Sequence, residues 1–250
     1  MRERIKMNQI TEAHNDQEIG IVFIHGAGLN SSIWDAVISE MEVPCLAVHY
    51  PGRSGDERSL KSLTINDYVA HMTAQIERWG VRKFVIVAHS LGGALGLKVA
   101  EVMGERVKGY IAVGAAIPKD GGSFLSILPF PNRLIMGIML RLLGTKPPES
   151  AIKQSLCHDL TSEQTETIAR NFVADSARIY LDRYETHAPD VPKLYVKLAE
   201  DRDLSLPIQE SAAANLKADD TITLPCGHLP MLSQPQALSE ALRTFLDNKI

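Results

Sequence analysis

Six short apolar runs recur along the chain, each closed by a glycine, a proline or a polar turn. They are residues 20–26 (GIVFIHG), 45–52 (CLAVHYPG), 83–90 (KFVIVAHS), 107–114 (VKGYIAVG), 193–200 (KLYVKLAE) and 221–228 (TITLPCGH). Runs of this length with no polar face predict parallel strands covered on both sides. Between them, residues 32–41, 65–79, 91–103, 206–216 and 235–246 have helical character. Thr64 or Asn66 is placed to cap the second of these, and Pro235 suits the first turn of the last. Strand alternating with helix predicts an α/β fold, an open parallel sheet with helices on both faces.

The alternation stops between residues 115 and 190. PKDGG, LPFPN and TKPPES interrupt this stretch, and helical patches lie between them. It is too long for a plain loop in a compact domain. The expectation is a core made of residues 1–115 and 190–250, with residues 116–189 inserted as a helical cap. The alternative is an ordinary pair of crossover helices packed on the sheet.

Composition narrows the class without naming a chemistry. At 45% hydrophobic and 22% charged, the chain of 250 residues reads as a folded globular protein rather than a disordered one. Lys plus Arg number 26 against 30 for Asp plus Glu, a formal charge of −4. That balance gives no electrostatic reason to bind nucleic acid, and no basic block holds the chain on an anionic membrane. The cysteines, Cys45, Cys157 and Cys226, have no CxxC spacing, so neither a disulfide framework nor a zinc site is expected. The first eighteen residues are polar and unlike a secretory signal. No run approaches the roughly 20 apolar residues of a membrane span. The expectation is a soluble cytoplasmic protein with no integral membrane segment and no nucleic-acid partner.

The candidate chemistry begins at AHSLGG, residues 88–93, between an apolar run and a helix. A nucleophilic serine needs a tight strand-to-helix turn that lifts its Oγ clear of the sheet, with small flanking residues because backbone crowds there. Ser90 has Ala88 and Gly92 at the flanks, one glycine short of G-x-S-x-G. The backbone NH of Leu91, at the helix start, would face a developing oxyanion. The alternative is a serine capping a buried helix.

HGAG, from His25, is a glycine turn after an early strand, and Ala27 is the candidate second oxyanion donor. GAGLNS also resembles a worn dinucleotide fingerprint, but His49 and Tyr50 stand where the ribose-binding acid belongs. His228 follows Gly227 after the last strand and is the candidate base. His25 and His89 are read as shaping the turn and the elbow. Glu200, Asp201 and Asp203 follow the strand at residues 193–198, and one of them is needed to orient His228.

With HGAG, YPGRSGD, AHSLGG and GHLPMLS in this order, the chain resembles the α/β-hydrolase superfamily over nearly its whole length. It looks most like the methylesterase and hydroxynitrile-lyase-like branch, on the "ED" at Glu200–Asp201, Gln209 and the pattern around His228. The resemblance implies a Ser90, acid, His228 triad. An ungapped overlay puts the acid at Asp201, while the commoner spacing to Pro207 favours Asp203. It also implies the NH groups of Ala27 and Leu91 as oxyanion donors. No cap lysine matching the one that lyase members use is identified.

The expected function is hydrolysis of a carboxylic ester through an acyl-enzyme, with a small-molecule ester as partner and no metal or organic cofactor. Residues 124–144 are almost wholly aliphatic and aromatic, with Arg133 and Arg141 their only charges. Over the site they would form an apolar wall and select an apolar group; the alternatives are that they pack the cap onto the core, or form a face that meets a lipid surface or a second subunit. The alternatives are thioester, carbon–carbon or cyanohydrin cleavage on the same triad, and a non-catalytic small-molecule receptor. The oligomeric state is left open.

Overall fold

The structure, a computed structural model, describes residues 19–53, 60–185 and 187–250. The polar first eighteen residues, and the SGD that ends the YPGRSGD motif, lie outside the described residues. Each apolar run forms a strand: β1 Ile19–Ile24, β2 Cys45–Val48, β3 Lys83–His89, β4 Val107–Val113, β5 Lys193–Leu198 and β6 Asp220–Leu224. They make one sheet in the order β2-β1-β3-β4-β5-β6, with every pairing parallel. Phe84 to His89 of β3 are buried throughout, as expected of a central strand covered on both faces.

The main helices are α1 Ile65–Trp79, α2 Gly92–Met103, α3 Asn132–Leu143, α4 Ser162–Asn171, α5 Leu206–Leu216 and α6 Pro235–Lys249. Thr64 caps α1 in a reciprocal box with Asp67, and Gly80 closes the helix at φ 82. The helix expected over residues 32–41 is shorter. A 3₁₀ turn, Ser31–Trp34, is capped by the Asn30 side chain and runs into a single α-turn, Asp35–Ile38. The Asn30 oxygen fixes the tight start, and Trp34 and Val37 then bury against the sheet.

Two apolar clusters sandwich the sheet. On one face α1, α2 and α5 contribute Tyr68, Met72, Leu95 and Leu216. On the other, Trp34, Val37, Leu238, Leu242 and Phe245 pack against Phe23, Val87 and Ile111. Residues 114–192, between β4 and β5, hold α3, α4 and a π-helical turn, Ile152–Leu156. This insertion feeds both clusters: Leu125, Leu140 and Tyr180 join the first, and Ile152, Ile168 and Phe172 the second. It therefore straddles the end of the sheet where β1 and β3 stop.

Candidate active site

β3 ends at His89 and α2 starts at Gly92, so the chain reverses within two residues. Ser90 takes the turn at φ 53, a region that residues with side chains rarely occupy. Neighbouring backbone holds it there: Ser90 N donates to the Val113 carbonyl, and the Ser90 carbonyl accepts from Gly93 and Ala116. The loop after β1 presses against this elbow. A Cβ on Gly92 would meet the His25 carbonyl oxygen at 2.5 Å, and one on Gly26 would meet Ser90 Cβ at 2.8 Å. Both glycines are there for close approach.

His228 Nε2 lies 3.0 Å from Ser90 Oγ, and its Nδ1 lies 2.7 Å from Asp201 Oδ2. The partners assign the tautomer: Nδ1–H donates to the carboxylate and Nε2 faces the hydroxyl. Asp201 Oδ1 accepts from the backbone NH groups of Asp203 (2.8 Å) and Leu204 (2.9 Å). Gln209 pins this loop, accepting from Leu198 N and donating to the carbonyls of Leu198 and Leu204. Asp203 stays exposed, and its backbone NH, not its carboxylate, holds the Asp201 side chain.

Burial pulls the His228 imidazole down, but the charge and hydrogen bond of Asp201 more than offset it and hold His228 above its ordinary value. Burial pushes Asp201 up, and His228 with the two backbone NH groups brings it below the usual carboxylate range. The other two histidines near the turn are neutral. Burial, then the Arg53 charge, lowers His25 to about 3, and burial followed by His228 takes His89 well down. His25 Nδ1 donates to the Gly26 carbonyl (2.7 Å) while its Nε2 accepts from Tyr50 N. His89 Nε2 donates to the His228 carbonyl (2.7 Å), tying the elbow to the histidine loop.

Ala27 sits between Gly26 and Gly28 and borders the same cavity as Ser90 and His228. Leu91 opens α2 in helical conformation directly after Ser90. The cavity has a volume of about 210 Å³. The insertion supplies most of its wall, including Phe124, Leu128, Met136, Leu140, Ile152, Leu156, Phe172 and Tyr180. A larger groove of about 490 Å³ between β6 and α6 contains no histidine and no cysteine, so it offers no comparable chemistry. Among the described residues, one grouping sets three candidate metal-ligand atoms within 4.8 Å: Asp201, Asp203 and His228. There both Asp201 oxygens and His228 Nδ1 are already engaged with each other or with backbone NH groups. Nothing in the donor set calls for a cation.

One network was not singled out in the sequence. Asp175, on the insertion, has its side chain wholly buried and forms an ion pair with Arg53 at 2.8 Å. Its Oδ2 accepts from Gly28 N (2.9 Å) and its Oδ1 from the Tyr68 hydroxyl (3.0 Å). Arg53 Nε donates to the Leu29 carbonyl, and Val173 N to the Gly28 carbonyl. The loop carrying Ala27 is therefore clamped by a carboxylate from the insertion. Asp159 does the same for the histidine loop, accepting from Gly227 N at 2.6 Å. YPGRSGD contains Arg53, but its partner lies 122 residues away in a segment with no motif.

The model of the alpha/beta hydrolase family matches residues 21–241. A pyrethroid hydrolase from Sphingobium wenxiniae is 25% identical, covering 91% of this chain and 87% of its own. Among solved structures, an extracellular α/β-hydrolase from a Paenibacillus species superposes with a TM-score of 0.81 at 18% identity, covering 90% of this chain and 98% of its own. A methylesterase from Arabidopsis gives 0.73 at 17%, covering 92% and 99%.

Proposed function

Because the chain belongs to the alpha/beta hydrolase family, we propose that it is a serine esterase with Ser90 as nucleophile, His228 as base and Asp201 as the orienting acid. One observation carries the reading: Ser90 Oγ, His228 and the Asp201 carboxylate stand in hydrogen-bonded sequence, 3.0 and 2.7 Å apart, at the wall of an apolar cavity. Residues 116–189 act as its cap.

Ser90 Oγ attacks the ester carbonyl as His228 Nε2 takes its proton. Asp201 keeps the imidazole in the required tautomer and balances the imidazolium. The NH groups of Ala27 and Leu91 receive the oxyanion, each donor being worth about 3–4 kcal/mol in the barrier. His228 then returns its proton to the leaving alkoxide. Water, deprotonated by the same imidazole, attacks the acyl-enzyme and releases the acid and Ser90. The apolar lining favours an ester with an apolar acyl or alkyl group. The distant relation to a pyrethroid hydrolase supports ester chemistry. No lysine is among the residues of the lining, which weighs against the lyase alternative. A cytoplasmic location is part of the proposal and is supported by three free cysteines; fractionation of cells expressing the tagged chain tests it.

A fluorophosphonate probe should label the peptide containing Ser90. Ser90→Ala should abolish labelling and cut turnover of a short p-nitrophenyl ester by about a millionfold. Retained turnover in that variant removes the nucleophile assignment.

A further inference from the structure

α3 is turned the wrong way round for a helix on a water-soluble protein. Gly137 and Leu140 are its buried positions, and the opposite arc, with Ile135, Ile138, Met139 and Leu142, is apolar and open to solvent. Leu142 is 77% exposed and Leu143 75%, and Phe130 just before the helix is 71% exposed. The exposed large apolar residues elsewhere, Val102, Leu206 and Ile250, stand singly. A continuous apolar face of this kind marks a surface that is covered in use.

Charge decides what covers it. From residue 121 to residue 148 the chain has Arg133, Arg141 and Lys146 and not one carboxylate. Arg133 and Arg141 are each four residues from Gly137, on the face of the helix opposite the apolar arc; Arg141 also donates to the Gly137 carbonyl. A second copy of this chain packed arc to arc offers these cations no acid, since the same segment of that copy has no carboxylate. A phospholipid surface takes the apolar arc into the acyl boundary and leaves the cations of the other face at the level of the phosphates. No helix of the described residues is long and apolar enough to cross a membrane, so α3 lies on the surface.

We propose that the outward face of α3 docks the protein on an anionic lipid surface. The chain as a whole, at −4, has no basic block that would hold it there by charge. Apolar insertion provides the attachment, and the local cations select anionic over neutral lipid. On its inner side the same helix contributes Met136 and Leu140 to the cavity beside Ser90. Docking thus brings the pocket wall to the layer where apolar esters dissolve. This supply of substrate rests on the esterase reading above; the docking itself does not.

The test is flotation of the full chain with phosphatidylglycerol–phosphatidylcholine vesicles and with pure phosphatidylcholine vesicles. The protein should float with the first, much less with the second, and less as salt rises. Arg133→Glu with Arg141→Glu should lower the bound fraction on the order of tenfold. Ile135→Glu with Leu142→Glu should abolish binding while leaving hydrolysis of a soluble short ester unchanged, since neither side chain touches the cavity. No flotation, or equal flotation with neutral vesicles, overturns the proposal. So does a dimer in sedimentation that Ile135→Glu with Leu142→Glu dissolves, because a second copy then covers the face. Ser90→Ala should float as the wild type does. An inactive enzyme that floats strikes only the esterase reading, and an active one that stays behind strikes only the docking.

Discussion

At the end of β3 the backbone around Ser90 is enclosed on every side, whereas α3, across the same cavity, leaves most of its apolar side chains in solvent. The elbow has neighbours at 2.5–2.8 Å from any added Cβ, and its histidine is held from both ring nitrogens and its own carbonyl. The insertion has a π-helical turn and a wall that includes an adaptable methionine. The contrast matches what the proposed esterase would need of each part. Groups that bear developing charge gain by being fixed before the substrate arrives. A wall that accepts apolar groups tolerates slack, because dispersion contacts are many and individually weak. Changes on the sheet side should therefore abolish chemistry, and changes on the insertion side should re-weight substrates.

The largest test of that division is the pair of aspartates. Asp201→Asn should reduce kcat on the order of 10⁴-fold, because an amide stabilises the wrong tautomer and cannot balance the imidazolium. Asp203→Asn should change kcat only a few-fold, since its backbone NH is what the site uses. The pH profile gives a second readout. The proposed mechanism needs His228 unprotonated, and Asp201 raises its pKa. Below that pKa, kcat/KM should fall about tenfold per pH unit, with the acid limb above the roughly 6.5 of a free histidine. In Asp201→Asn the counter-charge is gone and burial remains, so the limb should move to lower pH. Equal losses in both variants, or a limb that stays in place, would break the assignment.

The junction between the two parts should show an intermediate effect. Asp175 belongs to the insertion but holds the loop of Ala27 through Gly28 N. Asp175→Asn leaves Arg53 buried without its counter-charge, which costs about 3–5 kcal/mol of stability. It should also lower kcat by roughly 10- to 100-fold, less than the loss of a whole oxyanion donor. KM should change little. Tyr68→Phe, which removes only the hydrogen bond to Oδ1, serves as the mild member of the series. A stability loss with kcat intact would make Asp175 a fold residue and leave the oxyanion loop to stand on its own.

The same contrast explains what could be read from the chain. β1, β3, β4 and β5 were visible because a strand covered on both faces has little room for polar residues; the edge strands β2 and β6 are less buried but still stood out as short runs closed by glycine or proline. Ser90, Asp201 and His228 were visible as candidates because each follows a strand end in a fixed order. The choice between Asp201 and Asp203 was not, because two carboxylates on one loop differ only in which side chain the backbone NH groups of residues 203 and 204 enclose. The helix expected at residues 32–41 shrank because the Asn30 side chain starts a tight turn there. Asp175 was invisible for a different reason: its partners Arg53, Gly28 and Tyr68 are all more than a hundred residues away, and no local pattern encodes such a clamp.

The smallest effect is expected at the wall itself. Met136 lines the cavity from α3 and is 39% exposed. Met136→Ala should widen the apolar side without disturbing Ser90. The ratio of kcat/KM for p-nitrophenyl octanoate to that for the acetate should then rise on the order of tenfold, the scale of a few displaced methylene contacts. The rise should come from the long ester, whose acyl chain extends farther from Ser90. An unchanged ratio would mean that the acyl chain leaves the site by another route. A loss on both esters together would mean that α3 helps to hold the elbow, and the separation between a fixed chemical side and a yielding selective side would fail at that helix.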